Sequence, residues 1–470
     1  MTPTDKYNPR QTTDYQAGCA RKLTGNEKTA NVASHAEKRD IPLKRALNLV
    51  QTVFLGVGTA LGGVIFAIMG TAARIAGPSI VITFLIGAFF ALLMGLCYAE
   101  LGAAVPGAAG GAIAFVGRAF GKNLQTFLAG WFSWIGSITD GAIGSIVFAF
   151  SVNYFVKWVE PFTLAAITLL FFALINFRGT KSMGNIQLVL TFGLIVALII
   201  FIAGSLFNFE IIRFEPFFPN GFFPTISMIA FIFPTYAGYE TITQLSEEVK
   251  TAGKTIPRAL LITLLSITIL FTGSAIAMIG GAPADVYFNS STPLQDAATY
   301  FMGPIGGIVV SIGGILASLT TVNGALAGGT RIAYGLSRND LLPSIFRRVH
   351  PKFRSPFTAL ALTTLLAVLF VLTRWVDLIV YAIALGYSIT AIMVVLALIR
   401  LRQIEPTLYR PFKVPLYPVV PIVAIAVMGM MIVTMSWESL VLGIAFGAAG
   451  LILLFLGRRM RNKPPNGSAR

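Results

Sequence analysis

Asp140 lies midway along an apolar run, Trp134-Ile135-Gly136-Ser137-Ile138-Thr139-Asp140-Gly141. An ionised carboxylate at the centre of a bilayer costs about 3 kcal/mol or more unless it is paired or hydrated. On the residues alone three uses stay open: binding the cationic end of a ligand, taking up a proton, or hydrogen-bonding a neighbouring helix. Two other apolar stretches are interrupted at their centres, Gly56-Val57-Gly58-Thr59-Ala60-Leu61-Gly62-Gly63 and Phe233-Pro234-Thr235-Tyr236-Ala237-Gly238-Tyr239-Glu240. In the first, glycines let the chain leave helical geometry, and a helix resuming near Gly62 would turn free N–H groups and its positive dipole end toward the gap, where a carboxylate fits. Packing of helices through small residues is the other reading of that stretch. In the second, Pro234 removes a donor and clashes with the preceding turn, and Gly238 follows four residues later, which leaves carbonyls able to accept from an ammonium group. Donors for a carboxylate and acceptors for an amine together answer the recognition problem of an α-amino acid.

Other chemistries lack their residues. The glycines from Gly56 to Gly63 superficially match a dinucleotide fingerprint, but the third is one residue late and no strand precedes them. Two cysteines, Cys19 and Cys97, make no disulfide framework, and the two histidines, His35 and His350, lie outside the apolar runs, so no haem, zinc site or intramembrane histidine relay is expected. No apolar run carries paired aspartates or a Ser-His arrangement for hydrolysis, so the chain is not expected to be an enzyme and no cofactor is expected.

The elements that must position these residues are transmembrane helices. With 56% hydrophobic and 11% charged residues and a mean hydropathy of +0.78, the chain is too apolar for a soluble globule of 470 residues. Runs of about 20 apolar residues, the length that crosses a bilayer as helix, predict twelve spans. They are 46–74, 77–104, 124–152, 160–176, 185–207, 220–247, 257–281, 303–333, 356–374, 377–400, 416–436 and 438–457. With the N-terminus cytoplasmic, all but four of the 35 Lys and Arg residues fall in cytoplasmic segments; the four outside are Arg74, Lys157, Arg213 and Arg374. Both termini are therefore expected in the cytoplasm and the protein in the cell membrane, as a multi-pass chain. The formal net charge of +16 follows from this bias and implies contact with lipid headgroups, not nucleic acid. Residues 1–44 read as a disordered cytoplasmic tail, 45–457 as the membrane domain and 458–470 as a second tail.

Further stretches, in order along the chain after residue 44, resemble the amino acid/polyamine/organocation superfamily of secondary transporters. They are Gly62-Gly63-Val64-Ile65-Phe66, Ala76-Gly77-Pro78, Tyr98-Ala99-Glu100-Leu101, Pro106-Gly107 leading to Gly110-Gly111, and Gly238-Tyr239-Glu240. Glu247-Glu248 before Thr255-Ile256-Pro257-Arg258-Ala259, Arg331-Ile332-Ala333-Tyr334 and Tyr409-Arg410-Pro411-Phe412-Lys413-Val414-Pro415 complete the series. The resemblance implies an all-α membrane fold with a five-plus-five inverted repeat (46–207 and 220–400), discontinuous first and sixth spans, and two peripheral helices (416–457). Carried over, it puts a substrate carboxylate against Ala60, Gly62 and Gly63, an amine near carbonyls of Pro234 and Ala237, and Tyr236 where the family often has an aromatic gate. An aromatic ring simply packed in an irregular segment is the other reading of Tyr236.

Glu240 falls near the substrate and gate by resemblance, and by position is able to cap the next helical segment. Ser318, Thr320 and Thr321 offer oxygens of the kind Na⁺ sites in this fold use, or else tie helices together. Two departures stand out: Val64 takes a position where the family often has glycine, and Leu194 one where some proton-coupled relatives have lysine. The function implied is secondary transport of an amino acid by alternating access, as H⁺- or Na⁺-coupled symport or as exchange, with cationic amino acids or amines favoured by Asp140. An amino-acid sensor without net transport is the alternative, and the sequence assigns no oligomeric state.

Overall fold

A bilayer has no water inside it to satisfy backbone N–H and C=O groups, so an apolar run must pair them within itself, as a helix does. The computed structural model describes residues 42–461 apart from 108, 109, 157, 434 and 436. Among them every named element is an α- or 3-10 helix, and Leu47 pairs with Val249 in an isolated bridge. Of the expected tails, 1–41 and 462–470, with Cys19 and His35, lie outside the described residues, whereas 458–461 continue the last helix.

The first half of the chain forms α1 (Leu49–Ala60), α2 (Val64–Ala76), α3 (Ile80–Ala104), α4 (Ala112–Phe120), α5 (Leu124–Phe155), α6 (Pro161–Phe177) and α7 (Thr180–Ser205). The second forms α8 (Phe222–Ile232), α9 (Thr241–Gln244), α10 (Ala252–Gly281), α11 (Ala284–Tyr287), α12 (Pro293–Arg338), α13 (Phe357–Leu372) and α14 (Val376–Ile404), followed by α15 (Val419–Val433) and α16 (Trp437–Arg461). Among the described residues seven apolar helices are long enough to cross a membrane, and α1, α6, α13 and α15 are shorter apolar helices. Large apolar side chains such as Leu174, Val189, Phe192 and Leu365 stand exposed on α6, α7 and α13, a surface suited to lipid.

Helix starts carry their own signals. Asn48 and Gln51 form a reciprocal capping box at α1, Asn123 caps α5, and Glu160 caps α6, with Pro161 at its first position. Three helix starts differ from the sequence expectation by five residues or more. α7 begins at Thr180, after Gly179 at φ +96°, and not at 185. α10 begins at Ala252 and not at Pro257; the proline lies so near the start that the carbonyl it leaves without a donor belongs to Gly253 in the first turn. α12 extends back to Pro293 across a kink where Gly303 takes φ +69° before Pro304. The short helix α4, unexpected from the sequence, follows a glycine turn and ends near Arg118, whose guanidinium binds both oxygens of Glu405 and holds that carboxyl below the usual carboxylate range.

α12 is central, packing on α5, α7 and α1; α10 packs on α3 and α1, and α14 on α5. The ends of α3 and α14 are held by one acid. Glu100 is fully buried and accepts from Arg402 Nε at 2.9 Å and Nη2 at 2.5 Å and from the Val414 amide at 2.6 Å, with Arg410 Nε at 3.2 Å. Arg402 also stacks on Tyr417, 4.0 Å from the ring centre. The connection from α14 to α15 is thus folded around a carboxylate. Replacing Glu100 by Gln leaves two guanidinium groups without their counter-charge and should lower stability by about 3–5 kcal/mol, read by denaturant unfolding in detergent; an unchanged midpoint would show that the cluster is solvated.

Candidate functional site

The first break is short. α1 ends at Ala60, the Leu61 amide donates back to Val57, and α2 begins at Val64 with no side-chain cap on Gly63. Among the described residues neither the Gly62 nor the Gly63 amide bonds a backbone carbonyl, so both are open to a ligand at the positive end of α2. The second break is longer: α8 stops at Ile232, a 3-10 turn holds Phe233 to Tyr236 with Pro234 in it, and Gly238 turns the chain at φ +101° before the four-residue α9.

The two breaks touch backbone to backbone. A methyl group placed on Gly238 would lie 2.8 Å from the Thr59 carbonyl carbon and 2.9 Å from the Ala60 nitrogen. Gly62 has similar company, 2.7 Å from Thr321 Oγ1, and Gly63 abuts Ser318 Oγ more closely still. Only glycine fits these positions without moving a neighbour.

A cavity of about 280 Å³ opens beside the crossing. Thr59, Ala60, Gly62 and Gly63 line it from the first break, and Thr235 and Ala237 from the second. Asp140 and Gly144 of α5, Thr321 of α12 and Tyr387 of α14 close the other walls. Asp140 is half-buried, accepts a hydrogen bond from the Tyr387 hydroxyl at 3.3 Å, and has no ion-pair partner among the described residues. The contact depends on another close approach: a methyl group on Gly386 would lie 2.7 Å from the Phe132 carbonyl and 3.0 Å from the Gly136 amide, so α14 comes against α5 one turn before Asp140.

The amino acid permease family model matches residues 47–456. The chain belongs to that family. It is 28% identical to a branched-chain amino acid permease of Bacillus subtilis over 456 residues, 90% of this chain and 94% of that one. It is also 28% identical to a serine/threonine exchanger of the same organism over 428 residues, 88% and 96% of the two chains. A chloroplastic cationic amino acid transporter of Arabidopsis thaliana is 29% identical over 335 residues, 66% of this chain and 58% of that one. The protein is a multi-pass membrane transporter of the amino acid/polyamine/organocation type and not an enzyme.

Within this permease the residues named from the sequence separate into groups. Ala60, Gly62, Gly63, Ala237, Asp140 and Thr321 come together around the cavity. Tyr236 does not join them: it is fully buried, its hydroxyl donates to the Phe84 carbonyl at 2.8 Å, and its ring meets Phe271 edge-on at 5.2 Å. Glu240 makes no cap bond to α9; it is buried on the wall of a second, larger cavity. Ser318 donates to the Gly314 carbonyl, Thr321 to Ala317, and Thr320 to both Ala317 and Gly58, the last at 2.8 Å across to α1.

Sequence reasoning passed over Tyr387, Thr59 and Thr235. The polar pair Tyr387-Ser388 inside the apolar run of α14 was the available signal. Replacing Gly238 by Ala should cut substrate affinity about tenfold or more, since it adds a backbone clash to a left-handed strain of about 1–3 kcal/mol. Gly429→Ala, where nothing lies within 4 Å, is the matched control. Equal binding by both variants would show that the crossing of the breaks does not form the site.

Proposed function

We propose that this permease is a secondary transporter that moves an α-amino acid or amine across the cell membrane by alternating access around the crossing of its two breaks. The observation that carries the reading is the cavity itself: open amides at Gly62 and Gly63, the second break at Ala237, and the carboxylate of Asp140 face one space. The amides suit the substrate carboxylate. The backbone of the second break and Asp140 suit its amine, or Asp140 takes up the coupling proton.

Twelve crossings in a five-plus-five inverted repeat agree with the packing. Taking α1/α2 as the first span and α8/α9 as the sixth, the contact of α1 with α10 has its counterpart in that of α8 with α3. The pairing of α12 with α7 likewise matches that of α5 with α14, and α5 with α6 matches α12 with α13. Shifting both members by five spans turns each contact into its counterpart. In the orientation expected from Lys and Arg, both termini are cytoplasmic.

The cytoplasmic side is then closed by a buried ion pair. Arg331 at the end of α12 grips Glu248 through Nε and Nη2, each at 3.0 Å, and Thr180 of α7 donates to the same carboxylate at 2.7 Å. The Glu248 carbonyl accepts from Ala46 and Leu47, just before α1. Four segments that must part to open this side meet at one residue, two of them through its carboxylate and one through its backbone carbonyl. Coupling is by H⁺ or Na⁺ or by exchange; sodium at Ser318, Thr320 and Thr321 would require these hydroxyls to turn their hydrogens from the carbonyls they serve.

Counterflow in liposomes, with one unlabelled amino acid or amine inside and its labelled form outside, tests the reading without an ion gradient. Accumulation is expected with at least one of them, and none with any would overturn it. Asp140→Asn should lower that counterflow at least about tenfold if the carboxylate holds the amine, or leave counterflow intact and remove the pH dependence of net uptake if it carries the proton; no change in either would leave Asp140 a structural group. Glu248→Gln should speed labelling of a cysteine placed at Thr243, a buried position of α9, by a reagent applied from the cytoplasmic side. Unchanged labelling would show that the pair is not a lock.

A further inference from the structure

A second cavity of about 620 Å³ stands against the first. The two share Phe231, Ala237, Val380, Ala384 and Tyr387, so one layer of side chains separates them. In that layer Tyr387 is the residue with a fixed polar anchor, through its bond to Asp140. The far wall of the larger chamber comes from α15 and the turn after it, where Met428, Met430, Met431 and Met435 gather. Ile226, Ile229 and Phe233 supply the side toward the second break.

We infer that this methionine-walled chamber receives the substrate's side chain, and that the permease takes amino acids with large apolar side chains. The inference rests on the reading of the smaller cavity as the seat of the amino and carboxylate groups. The smaller cavity, at about 280 Å³, is at the lower end of the roughly 300–1,000 Å³ of most small-ligand sites, and the shared wall gives a larger substrate somewhere to extend. Thioether chains are unbranched and polarizable, and a wall of them adapts to apolar groups of differing shape without offering a charge. An amine bound at Asp140 and Ala237 has its side chain directed past Tyr387 toward that wall, because Ala237 and Tyr387 border both spaces. Among the lining residues Glu240 is the one carboxyl, Ser227, Ser388 and Ser439 add hydroxyls, and the rest are apolar or aromatic.

The test is counterflow of alanine, leucine, phenylalanine and lysine by the full-length protein and by Met431→Trp, which fills the chamber from the far wall. Wild type should exchange leucine and phenylalanine. The variant should lose about tenfold or more of that exchange while alanine stays within about twofold, the scale on which apolar pockets discriminate by size. Met431→Ala, which enlarges the space, should raise exchange of tryptophan relative to leucine and keeps the test usable if the larger residue blocks folding. Exchange of alanine or lysine without leucine or phenylalanine in wild type would overturn the inference and leave amino acid transport standing. Phenylalanine exchange unaffected by Met431→Trp would overturn it too and assign the chamber to a lipid chain. Absence of exchange with every amino acid and amine would instead overturn the reading of the smaller cavity.

Discussion

Unpaired backbone in hydrocarbon is the constraint on which this structure depends. Each N–H or C=O left without a partner there costs several kcal/mol, so a transmembrane helix breaks only where something else supplies partners or shields the break from lipid. Here the two breaks shield each other. Gly238 lies against Thr59 and Ala60 with no room for a methyl group, and α5, α12 and α14 wall the remaining sides. The amides of Gly62 and Gly63 stay open within this enclosure. The proposed binding capacity of the site is then the residue of a folding problem: groups that cannot pair internally are those a zwitterionic ligand can satisfy.

The same economy governs charge. The ion pairs with a buried carboxylate lie at helix ends, and in each the carboxylate is bonded more than once: Glu248 to Arg331 and Thr180, Glu100 to Arg402, Arg410 and the Val414 amide. Such pairs contribute little net stability against the desolvation of both ions, but loss of one member is expensive. They therefore act less as glue than as conditions on geometry, since the segments they join must move together or part altogether. Asp140 differs, with only a 3.3 Å bond from a tyrosine and a cavity in front of it. A carboxylate so weakly served is positioned to gain from a ligand what the protein withholds.

Features written as local chemistry were legible in the sequence. Glycine and proline within apolar runs gave both breaks, because they act through their own backbone, and Asp140 announced itself by its cost. Features made by distant contact were not. Nothing near Glu100 shows that two arginines more than 300 residues away fold over it. Tyr387 reaches Asp140 only because Gly386 and Gly136 let two helices approach, a fact of packing rather than of period. Tyr236 is the converse case: the resemblance offers a gate and the local chemistry a packed ring, and it is tertiary contact that turns its ring to Phe271 and its hydroxyl to the Phe84 carbonyl.

This division extends to recognition. On the proposed reading the backbone of the two breaks meets the groups that every α-amino acid shares, and its geometry is set by glycines that allow little change. The walls that would read a side chain come from α14 and α15, through Val380, Ala384, Tyr387 and the methionines, where substitutions alter volume without touching the crossing. α15 packs on α14 and lies beyond the paired contacts that relate the two halves, so its face can vary without a compensating change in the repeat. A fold built this way keeps one mechanism for moving its ligand while leaving the choice of ligand to helices at its periphery.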